Sequence, residues 1–261
     1  MSRRRVSAIG VALLAVACGA AMSSATPRLR PPPDAQWQYQ LQGRVDGSNP
    51  ARVFDVDGAT TPQATVRALQ RTGRYLVCYF SAGTFESFRA DSRGLPAGVR
   101  GRQVAGFADE RWLDIRRLGA IAPVLRARMR TCARKGFDAV EPDNVDGYQN
   151  RTGFPLRRSD ALRFADWLAR TAHGLGLAVG LKNSAGLVSS LAGRFDFAVV
   201  EQCLQYDECA RYRPFVQRRK PVYEVEYEGT LQSRCPAARR LGFNTILKAV
   251  ELGAPSRPCP A

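Results

Sequence analysis

A chain of 261 residues that is 45% hydrophobic is long enough to bury one large core, which excludes a disordered or low-complexity protein. The formal net charge of +16 raises the question of an anionic partner, but only four of the 39 basic residues are lysines, and the arginines lie scattered along helical stretches without a basic block. The charge reads as a solvated surface, and no nucleic-acid partner is expected.

At the N-terminus, Arg3, Arg4 and Arg5 precede a mostly apolar run from Val6 to Met22 and then Ser23, Ser24 and Ala25, the layout of a secretory signal peptide over residues 1–26. Ala15-Val16-Ala17-Cys18 also forms a loose lipobox, so a lipid anchor at Cys18 is the one membrane attachment considered. No later run has the roughly 18 apolar residues of a membrane span. The protein is therefore expected to be secreted or held at the cell surface. Residues 27–36, with Pro31-Pro32-Pro33, read as a stiff linker, and residues 37–261 as a single domain, expected to be monomeric.

Beyond the linker, apolar runs alternate with amphipathic stretches, the pattern of repeated βα units around a parallel sheet. Eight strands are predicted: Trp37–Leu41, Ala51–Phe54, Tyr75–Phe80, Ala139–Glu141, Ala178–Leu181, Phe197–Val200, Val222–Val225 and Thr245–Ala249. A first helix has Thr61 as its cap, Pro62 at its first position, Val66 and Leu69 facing inward and Gly73 as its stop. A second carries the stripe Ile121, Leu125, Met129 and Cys132 up to Gly136. A third is capped by Ser159, with Phe164, Leu168 and Ala172 inward and its end at Gly174 or Gly176. The fold class this suggests is α/β, a (β/α)8 TIM barrel, with a doubly wound open sheet as second choice.

In a barrel, polar residues at strand ends converge on one face, where barrel enzymes work. Those residues are Asp55 and Asp57, Ser81 and Gly83, Glu141 and Asp143, Lys182 and Asn183, Glu201 and Gln202, Glu224 and Glu226, and Lys248. The densest segment runs from Glu141 to Asp146, where three carboxylates fall within six residues directly after an apolar strand. A solvated acidic turn would use the same residue types. A site is favoured because Glu141 and Asp143 share one strand face and two of the four lysines also fall at strand ends.

The chain has one histidine, His173, near the end of a helix, so Ser-His-Asp, Cys-His and histidine-ligated zinc chemistry are poorly supported. There is no Walker-type phosphate loop and no dinucleotide fingerprint, and neither a cofactor nor a metal is expected. Paired carboxylates remain, and the reaction they support best is glycoside hydrolysis by one acid and one nucleophile or base. Six cysteines follow the signal, an even number that in an exported chain points to disulfides. Cys203 with Cys209 closes a short loop and Cys235 with Cys259 fastens the tail, while Cys78 and Cys132 are left open as a pair or as buried thiols.

Asp55-Val56-Asp57, Cys78-Tyr79-Phe80-Ser81-Ala82-Gly83, Glu141-Pro142-Asp143-Asn144-Val145-Asp146, Gly180-Leu181-Lys182-Asn183, Glu201-Gln202-Cys203 and Tyr223-Glu224-Val225-Glu226-Tyr227 resemble the endo-α-1,4-polygalactosaminidases, glycoside hydrolase family 114. The resemblance runs from Trp37 to about Cys259. It implies a TIM barrel that cleaves α-1,4-linked galactosamine polymers, including partly N-acetylated ones. It also implies a catalytic pair, Asp143 and Glu201, with Glu201 as acid/base and Asp143 as nucleophile or base.

Substrate contacts are expected from Asp55, Asp57, Tyr79, Glu141, Asn144, Lys182, Asn183, Gln202, Glu224, Glu226 and Lys248, with Tyr148, Tyr206 and Tyr223 as further stacking candidates. A cationic polymer and a basic protein are reconciled if the cleft is locally negative. The rival readings are a carbohydrate-binding lipoprotein without catalysis on the same barrel, and a basic surface protein that binds anionic polymers.

Overall fold

The computed structural model describes residues 30–260; the expected signal peptide, with Cys18, lies outside them. Eight parallel strands make the barrel wall: β1 (Trp37–Gln40), β2 (Val53–Asp57), β3 (Tyr75–Ser81), β7 (Ala139–Asp143), β8 (Ala178–Lys182), β9 (Phe197–Glu201), β10 (Val222–Glu226) and β11 (Asn244–Leu247). They lie in chain order, and each predicted strand is present with ends shifted by a few residues. A two-residue strand, β12 (Arg257–Pro258), pairs antiparallel with β11. The ring closes between β1 and β11 without a strand ladder, the Trp37 indole N–H donating to the Asn244 backbone carbonyl at 2.8 Å.

Helices α1 (Gln63–Arg71), α2 (Leu118–Lys135), α3 (Arg158–Gly174), α4 (Val188–Leu191), α5 (Arg213–Val216) and α6 (Leu231–Leu241) cross between strands. The β1–β2 connection has no helix. Residue alternation divides the apolar residues into two layers. Trp37, Tyr39, Val77, Phe197, Val199 and Tyr223 fill the barrel interior. Phe54, Val56, Leu76, Val140 and Leu181 face outward onto the helical stripe of Ile121, Leu125, Phe164 and Leu168. At about 25 cal/mol per Å² of apolar surface removed from water, these two layers supply the main drive to fold.

Three local expectations are corrected. Helix α3 is capped by the side chain of Asp160, which accepts the Arg157 N–H at 2.8 Å, not by Ser159. Between β3 and α2 the chain builds a second sheet of β4 (Thr84–Glu86), β5 (Arg100–Val104) and β6 (Phe107–Leu113), in the order β4-β6-β5. Half of the residues of β5 and β6 are exposed and most of the rest half-buried, so this sheet has little apolar alternation to betray it. Residues 30–36 do not form a free linker. Ala35 joins the interior cluster, the Pro32 carbonyl accepts the Tyr223 hydroxyl at 2.9 Å, and the Pro33 carbonyl accepts the Asn244 side-chain amide at 2.7 Å. The segment covers the barrel at the strands' N-terminal ends.

All six cysteines beyond the signal are paired, Cys203 with Cys209, Cys235 with Cys259, and Cys78 on β3 with Cys132 on α2. The last pair fastens the sheet to its largest helix.

Candidate active site

At the C-terminal ends of β7, β8 and β9, Lys182 gathers three carboxylates. Its Nζ lies 3.0 Å from Glu141, 3.5 Å from Asp143 and 3.3 Å from Glu201, and donates to the Tyr39 hydroxyl at 2.7 Å. The rings of Tyr39 and Tyr79 flank the ammonium, 5.2 and 5.6 Å from it to their centroids. Lys182 and Glu141 are fully enclosed, whereas the side chains of Asp143 and Glu201 keep 17% and 24% of their surface open, so only the last two can meet a ligand directly. Two oxygens at 3.5 and 3.3 Å from one nitrogen are separated by no more than about 7 Å, below the roughly 10 Å ceiling for paired glycosidase carboxyls.

Each exposed carboxylate is held from both sides. Asp143 accepts the Tyr79 hydroxyl at 3.1 Å and the Asn144 backbone N–H at 2.7 Å. Glu201 accepts the Asn183 amide at 3.0 Å and the Tyr227 hydroxyl, while its own N–H donates to the Asn183 side-chain oxygen at 2.9 Å.

The backbone directly past each strand end is unusual. Asn144, Asn183 and Gln202 have φ of +61°, +45° and +57°, and Ser184 follows Asn183 at +60°. Side chains other than glycine adopt this region at a cost, and such residues cluster at sites where the turn must aim a neighbour. Here the three turns follow Asp143, Lys182 and Glu201. Gly83 completes the first turn, since a Cβ there would lie 1.7 Å from the Asn144 carbonyl oxygen. The inserted sheet is tied to the same corner: Asn144 donates to Ser81, Ser81 pairs with Thr84, and Thr84 donates to Glu110 of β6 at 2.9 Å.

Charge and burial set the protonation of the cluster. Burial alone would lower the pKa of Lys182, but Asp143, Glu141 and Glu201 outweigh it and raise that pKa well above the ordinary value. Burial would raise Glu201, yet Lys182, Tyr227 and Asn183 hold it below the usual glutamate value. Glu141, with Lys182 opposing its burial, is pushed up to about 7. Asp146, half-buried and near Asp143, is raised to about 6, partial burial being the larger cause. Glu201 is thus poised as an anion in the free site. An acid role for it requires a proton to be gained against those donors.

Other expected contacts are placed elsewhere. Asp55 lies beneath Glu141 and is buried, out of reach of a ligand. Asp57 is at the rim but is committed to Arg89 and to the β2–α1 turn, accepting the Thr60 N–H at 2.7 Å. Gln202 bonds Gln205 at 2.8 Å. Glu224 and Glu226 are corrected: they alternate with the interior residues Tyr223 and Val225, so they face outward, where Glu226 accepts the Leu204 N–H at 2.8 Å. Lys248 is also corrected, since its ammonium is spent on Gln38 and on the Gly253 and Pro255 carbonyls at 2.8–3.0 Å. Tyr223 is buried in the barrel interior, and Tyr206 is 62% exposed.

Tyr39, Tyr227 and Asp146 were absent from the expected contacts. Tyr39 and Tyr227 have a sequence signal, because Tyr39 alternates with two glutamines on β1 and Tyr227 directly follows β10. Among the described residues, no group of three His, Cys, Asp or Glu side chains has metal-holding geometry.

Comparison with known proteins gives the family and the fold. The model of glycoside-hydrolase family GH114 matches residues 19–261. A crystal structure of Aspergillus fumigatus Ega3 in complex with galactosamine superposes with a TM-score of 0.85 at 32% identity, covering 90% of this chain and 98% of that one. The glycoside hydrolase domain of PelA from Pseudomonas aeruginosa shares the fold, with a TM-score of 0.62 at 16% identity over 85% of this chain and 96% of that one. An uncharacterized protein of Deinococcus radiodurans is 27% identical over 216 residues, 73% of this chain and 68% of its own length.

Proposed function

The chain belongs to glycoside-hydrolase family GH114, and on that premise we propose that it cleaves within α-1,4-linked polymers of galactosamine and N-acetylgalactosamine, using Asp143 and Glu201 as the catalytic pair. The observation that carries this reading is that these two part-open carboxylates share a single buried ammonium, no farther apart than paired glycosidase carboxyls are. Ega3, similar over nine-tenths of this chain, was crystallised with galactosamine. The charge of the site fits a cationic sugar as well. Asp146 and Glu110 lie near enough to Asp143 to feel its charge, and Lys182 is enclosed between Asp143 and Glu201, which favours a locally negative cleft within a basic protein.

Chemically, one carboxyl protonates the departing glycosidic oxygen while the other carboxylate attacks the anomeric carbon or activates water. We assign the proton to Glu201 when substrate is bound and the nucleophile or base role to Asp143. Lys182 stabilises the anionic partner and keeps the two carboxylates from repelling each other. Tyr79 and Asn183 fix their orientation, so that little reorganisation is needed at the moment of reaction.

The same reading places the protein outside the cytoplasm, supported by three disulfides and by the leader-like residues 1–26. The test of activity is to incubate the purified protein with defined galactosamine and N-acetylgalactosamine oligomers and to weigh the products. Shorter oligomers are expected, and intact oligomers of both kinds would refute the proposal.

A further inference from the structure

Beneath the cleft lies a second, enclosed carboxyl pair. Asp55 on β2 is 1% exposed, and no donor among the described residues reaches either of its oxygens. Beside it, Glu141 is fully buried. Its Oε1 receives Lys182 at 3.0 Å and Tyr39 at 3.4 Å, while its Oε2 has no donor. Asp55 lies within hydrogen-bond reach of Glu141. Each group lacks what the other needs: Asp55 has no donor to support a charge, and Glu141 has one oxygen free to accept.

A buried carboxylate without a partner is disfavoured, and two adjacent carboxylates cannot both be ionised at low cost. One proton between them satisfies both. It belongs on Asp55, because Glu141 already faces an ammonium and a hydroxyl that favour its anion.

We infer that Asp55 is a positioning residue that acts as a neutral acid: its hydroxyl proton is donated to Glu141, and the braced Glu141 carboxylate fixes Lys182 between Asp143 and Glu201. The inference deepens the proposed glycosidase reading and rests on it for its catalytic meaning. The groups facing Asp55 are Glu141 and Asp143 of β7 and Lys182 of β8, with Tyr39 of β1 its partner in the strand register. Burial and the Glu141 charge, in that order, raise Asp55 well above the ordinary aspartate range, in keeping with the geometry. Expected at first as a substrate contact, Asp55 serves the site from below.

The experiment compares wild type with Asp55→Asn and Asp55→Ala in two readouts. The first is thermal unfolding against pH and needs no substrate. A carboxyl that is neutral when folded and ionised when unfolded costs stability as pH rises above its unfolded value, about 3.9. Asparagine supplies the same donor without that dependence. The melting temperature of Asp55→Asn should therefore climb relative to wild type from about pH 4 to pH 7, and the difference should shrink toward acid. A difference that does not change with pH, or a relative loss that deepens as pH rises, overturns the inference.

The second readout is hydrolysis of an oligomer the parent cleaves. Asp55→Ala should lose at least tenfold in kcat, and Asp55→Asn should recover most of that loss with the pH profile of the parent. An inactive Asp55→Asn that folds normally would show that the ionised carboxylate is required, against the inference. If the parent cleaves nothing, the glycosidase reading fails while the unfolding curves still decide the state of Asp55.

Discussion

The ends of β7–β9 and the ends of β10–β11 look alike in sequence, the first supplying three carboxylates and a lysine and the second two carboxylates and a lysine, yet the fold gives them opposite work. At the first, Lys182 meets three carboxylates, two of them open to solvent. At the second, Lys248 holds carbonyls of the C-terminal tail, and Glu226 holds the backbone of the loop after β9, with Arg234 3.4 Å away. Strand parity makes the difference: Asp143 and Glu201 continue the inward-facing set, and Glu224 and Glu226 the outward one. The other two lysines resemble Lys248, since Lys135 donates to the Gly58 and Thr61 carbonyls and Lys220 to that of Ala192. Lys182 alone of the four pairs with carboxylates in the described residues.

The contrast breaks most readily at the proposed catalytic pair. Asp143→Asn and Glu201→Gln should each lower kcat by about 10²-fold or more while the fold, followed by circular dichroism, stays intact. Near-parental turnover in either variant would mean the wrong carboxylate has been chosen. Lys182→Met should follow, with a tenfold or greater loss in kcat/KM. Glu201 would then lose the main charge that lowers its pKa, so the limb of the pH profile that it governs should move upward. In the parent, that limb should lie below the ordinary glutamate range of about 4.3.

Effects at the second region should appear in stability and not in kcat. Lys248→Met removes the donor from three acceptors and should lower the melting temperature by several degrees with kcat/KM unchanged. A fall in kcat/KM of tenfold would place Lys248 back in the site. The smallest effect is expected from Glu224→Gln. Burial and the neighbouring Glu226 raise the Glu224 pKa well above the ordinary glutamate value, so the amide replaces a carboxyl whose charge its surroundings disfavour. Loss of stability in that variant at neutral pH would show that Glu224 carries its charge.

Much of this was legible beforehand. Apolar runs bounded by turn residues located all eight barrel strands, and the carboxylates and lysine of β7–β9 stood at strand ends where barrel chemistry gathers. Parity on β10 was not legible. Val222 to Glu226 is buried on both faces, so apolar Val225 and charged Glu224 give no alternation from which to choose the inner side. The inserted sheet escaped for the opposite reason, being too exposed to carry a pattern. Asp55 was found at its strand end, but its protonation depends on which oxygens meet across two strands distant in sequence.

The proline segment at residues 30–36 fixes more than the base of the barrel. Pro32 and Pro33 are bonded by residues at the starts of β10 and β11, whereas Asp143 and Glu201 stand at the ends of β7 and β9. Arg30, 3.5 Å from Asp196 just ahead of β9, therefore stands at the pole opposite the cleft. Whatever approaches that pole would leave the mouth of the cleft free on the far side of the barrel.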